Sequence, residues 1–74
     1  MNEKALEICK KYHDKLIIYY QAQIRIGLEM GDIEQLREAH MHQYGNTFST
    51  CCDGPIGNGL RNISSEYIKW LKTQ

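Results

Sequence analysis

The fold is decided by residues 2–30, which read NEKALEICKKYHDKLIIYYQAQIRIGLEM. The stretch contains no proline, and its only glycine is Gly27. At about 100° per residue, its charged side chains gather on one arc of a helix and its apolar side chains on the opposite arc. The pattern predicts one long first helix from residue 2 to about residue 30. The apolar arc contains Leu6, Ile8, Cys9, Tyr12, Leu16, Tyr19, Tyr20, Ile24 and Ile26.

The width of this arc predicts an interface. It covers roughly half of the helix circumference, which is more than the narrow seam of a two-stranded coiled coil. The remainder of the chain is expected to cover only part of it, so the arc indicates self-association or a protein partner. A competing strand is suggested by residues 16–20, which are rich in strand formers, and by the alternation over residues 21–28. No turn signal lies upstream of Gly27, so the helix is favoured.

Length and charge exclude several classes of protein. The 74 residues make one domain, 1–74, and a chain this small buries only about 60% of its unfolded surface. Nine basic residues balance nine acidic ones, so the basic face that nucleic-acid binders use is not expected. A neutral chain is also a poor match for an anionic membrane surface, and its longest apolar run, residues 16–20, is too short to cross a bilayer. We therefore expect neither nucleic acid nor a membrane as a partner.

The cellular compartment is indicated by the N-terminus and by the cysteines. The first residues carry charges and lack the apolar region of a signal peptide. Three cysteines are an odd number, so a disulfide framework is not expected. Both features predict a cytoplasmic protein.

Glycine and proline divide the rest of the chain. Gly31 is expected to end the first helix, and Asp32 is expected to cap a short second helix over residues 33–44. Gly45 is the second stop signal, and residues 47–52 are compatible with a strand, a loop or continued helix. Residues 53–59 hold three of the six glycines and the only proline, which predicts a Gly-rich turn before a C-terminal helix that begins near Asn58 or Asn62. The expected fold is all-α, packed as an oligomeric helical bundle.

The Gly-rich turn is a candidate anion site. Turns of this kind that lead into a helix expose backbone N–H groups at the positive end of the helix dipole, where phosphates and other anions bind. The segment lacks the complete P-loop and dinucleotide-binding patterns, and a plain entry turn is the competing interpretation. The candidate ligand-binding residues are Gly57, Asn58, Gly59 and Arg61.

The chain contains histidine and cysteine, the residue types of a metal site, but their spacing does not match a clear metal-binding pattern. Cys9 and His13 lie four residues apart on one side of the first helix, which suits two ligands of a zinc ion. Cys51 and Cys52 are adjacent, and adjacent cysteines do not easily both point at one ion. We therefore expect no metal and no cofactor. Thiol catalysis needs a base and a group that orients it, and no such signature surrounds these cysteines, so neither catalytic residues nor an enzyme are expected.

Aromatic side chains are the remaining candidates for binding. Tyrosine and tryptophan are enriched at the centres of interfaces, where the ring is buried and the polar atom stays hydrogen-bonded. His40 is expected either to be buried and hydrogen-bonded or to act at an interface. The candidate interaction residues are Tyr12, Leu16, Tyr19, Tyr20, Ile24, Ile26, His40, Tyr44 and Trp70.

Two functions agree with these features. The first is a small helical interaction protein, of inhibitor or adaptor type, that self-associates and acts by binding another macromolecule, which we expect to be a protein. The alternative is an oligomeric protein that binds a small anionic ligand between subunits near the Gly-rich turn. The sequence favours the first, because the apolar arc and the tyrosines are sufficient for it.

Overall fold

A computed structural model describes residues 1–24 and 27–74 of the chain. The all-α prediction is confirmed, because the described residues contain four helices and no strand. No helix within these two ranges carries an apolar stretch that is long enough to cross a membrane. The helices are α1 (Glu3–Lys11), α2 (His13–Ala22), α3 (Met30–Tyr44) and α4 (Asp53–Lys72).

The prediction of a single long first helix is wrong. The helix is interrupted at Tyr12, and the helix that follows ends at Ala22. Tyr12 has φ −108° and ψ 23°, and its N–H donates to the carbonyl of Cys9 at 3.0 Å, which tightens the last turn of α1. Gln23 adopts the left-handed conformation, with φ 59°, and closes α2. The break lets the two halves pack on different partners, α1 against α3 and α2 against α4.

Helix α3 begins three residues before the predicted start. Gly31 lies inside its first turn, and the N-cap is Glu29. Asp32 is the third residue of α3 and forms a capping box with Glu29. Its carboxylate accepts the N–H of Glu29 at 3.1 Å. That hydrogen bond, assisted by the ammonium of Lys15 at 3.3 Å, holds the pKa of Asp32 below its usual value. The predicted end is confirmed, since Gly45 terminates the helix with φ 80°.

The Gly-rich turn predicted over residues 53–59 is also wrong, because α4 already begins at Asp53. Pro55 lies in its first turn, where the missing N–H removes no intrahelical hydrogen bond. The irregular connection lies earlier, over residues 46–52, which form neither helix nor strand. Glycine is a weak helix former, and Gly59 has a packing role that explains its position. A Cβ atom there would lie only 2.0 Å from Cδ1 of Phe48.

The core takes up much of the apolar arc within one copy of the chain. Ala5, Cys9, Leu16 and Tyr19 are buried against α3 and α4 in a single hydrophobic cluster. The accessible surface of the chain is 4438 Å², slightly below the roughly 4,700 Å² expected of a monomer of 8.7 kDa. This part of the arc is therefore buried within one copy of the chain, and self-association stays a prediction.

Replacement of Gly59 by alanine should destabilise the protein. The added methyl group would overlap the Phe48 ring, and overpacking of about 1–3 kcal/mol outweighs the gain of up to about 1 kcal/mol from removing a helical glycine. We expect Gly59→Ala to lower the free energy of unfolding by about 1–2 kcal/mol in urea titrations followed by circular dichroism. The control is Gly31→Ala, whose Cβ would meet no atom within 4 Å, and which should be neutral or stabilising. A Gly59→Ala protein as stable as the wild type would contradict this packing.

Candidate functional site

The structure divides the predicted interaction residues of the first helix into two groups. Leu16 is fully buried, and Tyr19 is buried with its hydroxyl donating to the carbonyl of Gly57 at 3.0 Å. These two side chains hold α2 against α4 and are not available to a partner. Tyr20 and Ile24 are exposed, at 38% and 50%. Tyr12 is partly buried, and Ile26 lies outside the described residues.

Three further candidates make contacts within the chain. His40 is buried, and its Nδ1 pairs with the carbonyl oxygen of Asn46 at 2.7 Å. Tyr44 is exposed, but its hydroxyl donates to the carbonyl of Asn62 at 3.0 Å. Trp70 stacks on Tyr67 with ring centroids 6.2 Å apart. Each of these side chains therefore has a structural role, and for His40 it is the buried, hydrogen-bonded alternative that the sequence offered.

The turn that the predicted anion site required is absent from this part of the chain. Gly57, Asn58 and Gly59 lie beyond the first turn of α4, so their N–H groups are used inside the helix. Gly59 is also covered by Phe48. Arg61 is exposed, and its Nε donates to Oε1 of Gln23 at 3.3 Å. The structure does not bring free backbone donors to the guanidinium, and anion binding here stays a prediction.

A shallow groove runs along the outer side of α3, and the sequence patterns did not indicate it. Its volume is about 380 Å³. Helical residues three and four positions apart share a face, which explains how Glu34, Glu38 and Met41 come together. The opposite wall comes from the segment after α3. We call this surface the α3 groove, and it is lined by Glu34, Gln35, Arg37, Glu38, Met41 and Thr47.

Hydrogen bonds hold the two walls of the α3 groove together. Nε of Arg37 donates to the carbonyl of Phe48 at 2.7 Å, and the hydroxyl of Thr47 donates to the carbonyl of Arg37 at 3.3 Å. The same guanidinium contacts Glu34 at 2.9 Å. Arg37 therefore acts as a brace for the groove, and its charge is partly balanced by that carboxylate.

The groove combines acidic and apolar character. The side chain of Glu38 is 58% exposed and has His42 as its neighbour, at 3.8 Å. Met41 is 45% exposed and supplies the apolar part of the lining. A second depression of about 460 Å³ lies on α1, but its lining charges alternate in sign along one helix. The α3 groove is the better candidate, because two elements build it and an apolar side chain is exposed in it.

The cysteines form a second feature of interest. The sulfur atoms of Cys51 and Cys52 lie 3.6 Å apart, and both residues are exposed. The two adjacent side chains thus lie on the same side of the backbone, with their sulfur atoms in contact. The hydroxyl of Ser49 donates to Sγ of Cys51 at 3.0 Å, which lowers the pKa of that thiol. The hydrogen bond with Cys51 raises the pKa of Cys52.

Cys9 and His13, whose spacing alone would suit two zinc ligands, have separate surroundings in the structure. Cys9 is fully buried in the core, and burial raises its pKa to about 12. The break at Tyr12 lies between the two residues. His13 therefore lies in α2, whereas Cys9 lies in α1. Nδ1 of His13 is hydrogen-bonded to the hydroxyl of Tyr67 at 2.6 Å. These two side chains therefore serve the packing of the helices.

Comparison of the chain with protein-family models, with curated proteins and with solved structures finds no match. The α3 groove and the cysteine pair are therefore the features from which function is inferred.

The three thiols should differ sharply in reactivity. Only thiolates attack a maleimide at a useful rate, and Cys9 is buried with a pKa of about 12. We expect mass spectrometry to count two maleimide adducts on the native reduced protein near neutral pH, and three after denaturation. A Cys9→Ala variant should still give two adducts. Three adducts on the native protein at equal rates would show that Cys9 is accessible.

Proposed function

We propose that this chain is a small helical interaction protein that binds another protein through the α3 groove. The observation that carries the proposal is Met41, an apolar side chain exposed beside the carboxylates of Glu34 and Glu38 in the lining of a groove with braced walls. Single exposed apolar residues are common on protein surfaces, but a concave, rigid setting is typical of contact sites. The occupant that fits is a protein segment with an apolar side chain flanked by lysine or arginine.

The bracing of the groove favours binding without large rearrangement. Arg37 fixes the segment after α3 through the carbonyl of Phe48, and Thr47 fixes it through the carbonyl of Arg37. A surface that is already ordered loses less conformational entropy when a partner binds. The bonds within the groove therefore favour affinity for a partner of matching shape.

The lining also argues against a small molecule at this position. Pockets for small ligands are lined mainly by apolar and aromatic side chains. The α3 groove has three charged residues and only one large apolar one. A protein surface that offers both an apolar side chain and positive charge matches this lining better than a small molecule does.

We also propose that the chain self-associates and works in the cytoplasm. Leu16 and Tyr19 are used inside the monomer, so contact between copies must involve other, exposed residues. The three cysteines are free thiols, which agrees with a reducing compartment.

The α3 groove is tested by two matched substitutions on one helix. Met41→Glu places a charge on the apolar part of the groove, whereas Met30→Glu changes the same residue type outside it, at a position 54% exposed. Partners are captured from an extract of the source cells with the wild-type protein, and the affinity of each purified partner is then measured. A central contact contributes on the order of 1–2 kcal/mol, so Met41→Glu should weaken binding about tenfold or more. Met30→Glu should bind like the wild type.

Two results would contradict the assignment. One is wild-type affinity of the Met41→Glu protein for every captured partner. The other is equal loss of binding by both variants when both keep wild-type helicity, which would show that the contact is not confined to the groove. Circular dichroism of both variants separates these cases.

A further inference from the structure

The sulfur atoms of Cys51 and Cys52 have the separation of two ligands on one metal ion. With metal–sulfur bonds of about 2.3 Å, as for zinc, two sulfurs 3.6 Å apart subtend about 100° at the ion. This angle is close to tetrahedral, and a linear two-coordinate ion would need the sulfurs about 4.6 Å apart at the same bond length. The pair therefore matches one edge of a tetrahedral zinc site.

The surroundings of the pair suit thiolate ligands. Both residues are exposed, so an ion can reach them without opening the core. The hydroxyl of Ser49 donates to Sγ of Cys51, and the N–H of Cys51 donates back to the oxygen of Ser49 at 3.2 Å, which fixes this side chain. Cys52 immediately precedes the 20-residue helix α4. The positive end of the helix dipole there stabilises negative charge on the sulfurs.

The pair provides only half of a closed zinc site. Structural zinc takes four ligands, commonly four cysteines. Within residues 1–24 and 27–74, no group of three or more His, Cys, Asp or Glu side chains is placed to hold one ion. The third cysteine, Cys9, is buried in the core. A closed site therefore needs two further ligands from another molecule.

A second copy of the chain supplies the missing ligands by symmetry. A twofold axis through the ion places the same two cysteines of a second copy opposite the first two. We propose that a Zn²⁺ ion joins two copies of this chain through Cys51 and Cys52 of each. Four zinc–sulfur bonds form and four thiol protons pass to solvent, with no change of oxidation state. The inference rests on the proposed self-association and is independent of the α3 groove.

The mass of the reduced full-length protein tests this bridge. Light scattering is measured with a phosphine reductant, first with a chelator and then with half an equivalent of Zn²⁺. We expect the mass to double from the 8.7 kDa of one chain when zinc is added, and to return when the chelator is in excess. Elemental analysis of the dimer should give one zinc per two chains. Helicity should be the same in both states, because the core does not contain the ion.

Variants of the three cysteines provide the controls. Cys51→Ser and Cys52→Ser should each abolish the zinc-dependent doubling while keeping wild-type helicity, since both positions are exposed. Cys9→Ala removes a thiol that lies in the core and should still dimerise with zinc. Co²⁺ bound to the wild type should show the absorption of a tetrahedral thiolate site, and this absorption should be lost in Cys51→Ser.

The possible failures are distinguishable. A dimer that forms in chelator and is unchanged by Cys51→Ser would overturn the zinc bridge and leave self-association standing. One zinc per chain at the monomer mass would overturn the bridge by showing that the pair is completed by water. A monomer under all conditions, with no zinc bound, would overturn both the bridge and self-association. The binding of other proteins at the α3 groove is judged separately, from Met41→Glu.

Discussion

The ring of Phe48 lies directly on the backbone of Gly59, and this contact determines where the segment between α3 and α4 runs. No side chain larger than hydrogen fits at residue 59, because a Cβ atom would lie 2.0 Å from the ring. From the side of α3, His40 meets the same ring edge-on at 5.4 Å, and Arg37 binds the Phe48 carbonyl at 2.7 Å. Phe48 is therefore held by both helices at once.

Both candidate sites depend on this contact. Thr47 precedes Phe48 and forms a wall of the α3 groove. Cys51 and Cys52 follow within four residues, immediately before α4 begins at Asp53. If Phe48 left its position, the groove would lose one wall. The segment that carries the cysteine pair would then be held near α4 only by its covalent connection. Residues of a short irregular segment thus take their positions from one packed ring.

Local sequence signals predicted the helical class and some of the helix ends. Gly45 ends α3 because a glycine accepts the positive φ that the end requires. Apolar residues three positions apart mark the buried faces of α3 and α4, with Ile33, Leu36, Leu60 and Ile63 in the core. The break at Tyr12 was not predictable, because no glycine or proline marks it and its benefit is the packing of α1 and α2 on different helices. The start of α4 was misplaced because glycine and proline usually indicate a turn, whereas here Gly59 provides room for a ring.

The candidate sites were less predictable than the fold. The spacing of Glu34, Glu38 and Met41 in the sequence places them on one face of α3. The groove also needs the path of the segment after α3, and the sequence left that path open. The adjacency of Cys51 and Cys52 was visible, while the 3.6 Å between their sulfur atoms depends on the local backbone and on Ser49. The burial of Tyr19 was missed because the same amphipathic ring suits a core and an interface, and only the position of Gly57 decides between them.

The most direct measurement of the central contact is the nuclear Overhauser effect between the Phe48 ring protons and the α protons of Gly59. The account predicts strong effects between them, together with an unusual chemical shift of at least one Gly59 α proton, because that proton lies against the aromatic ring. Ordinary shifts for both Gly59 α protons, with no Overhauser effect to Phe48, would contradict the position of the segment on which both candidate sites depend.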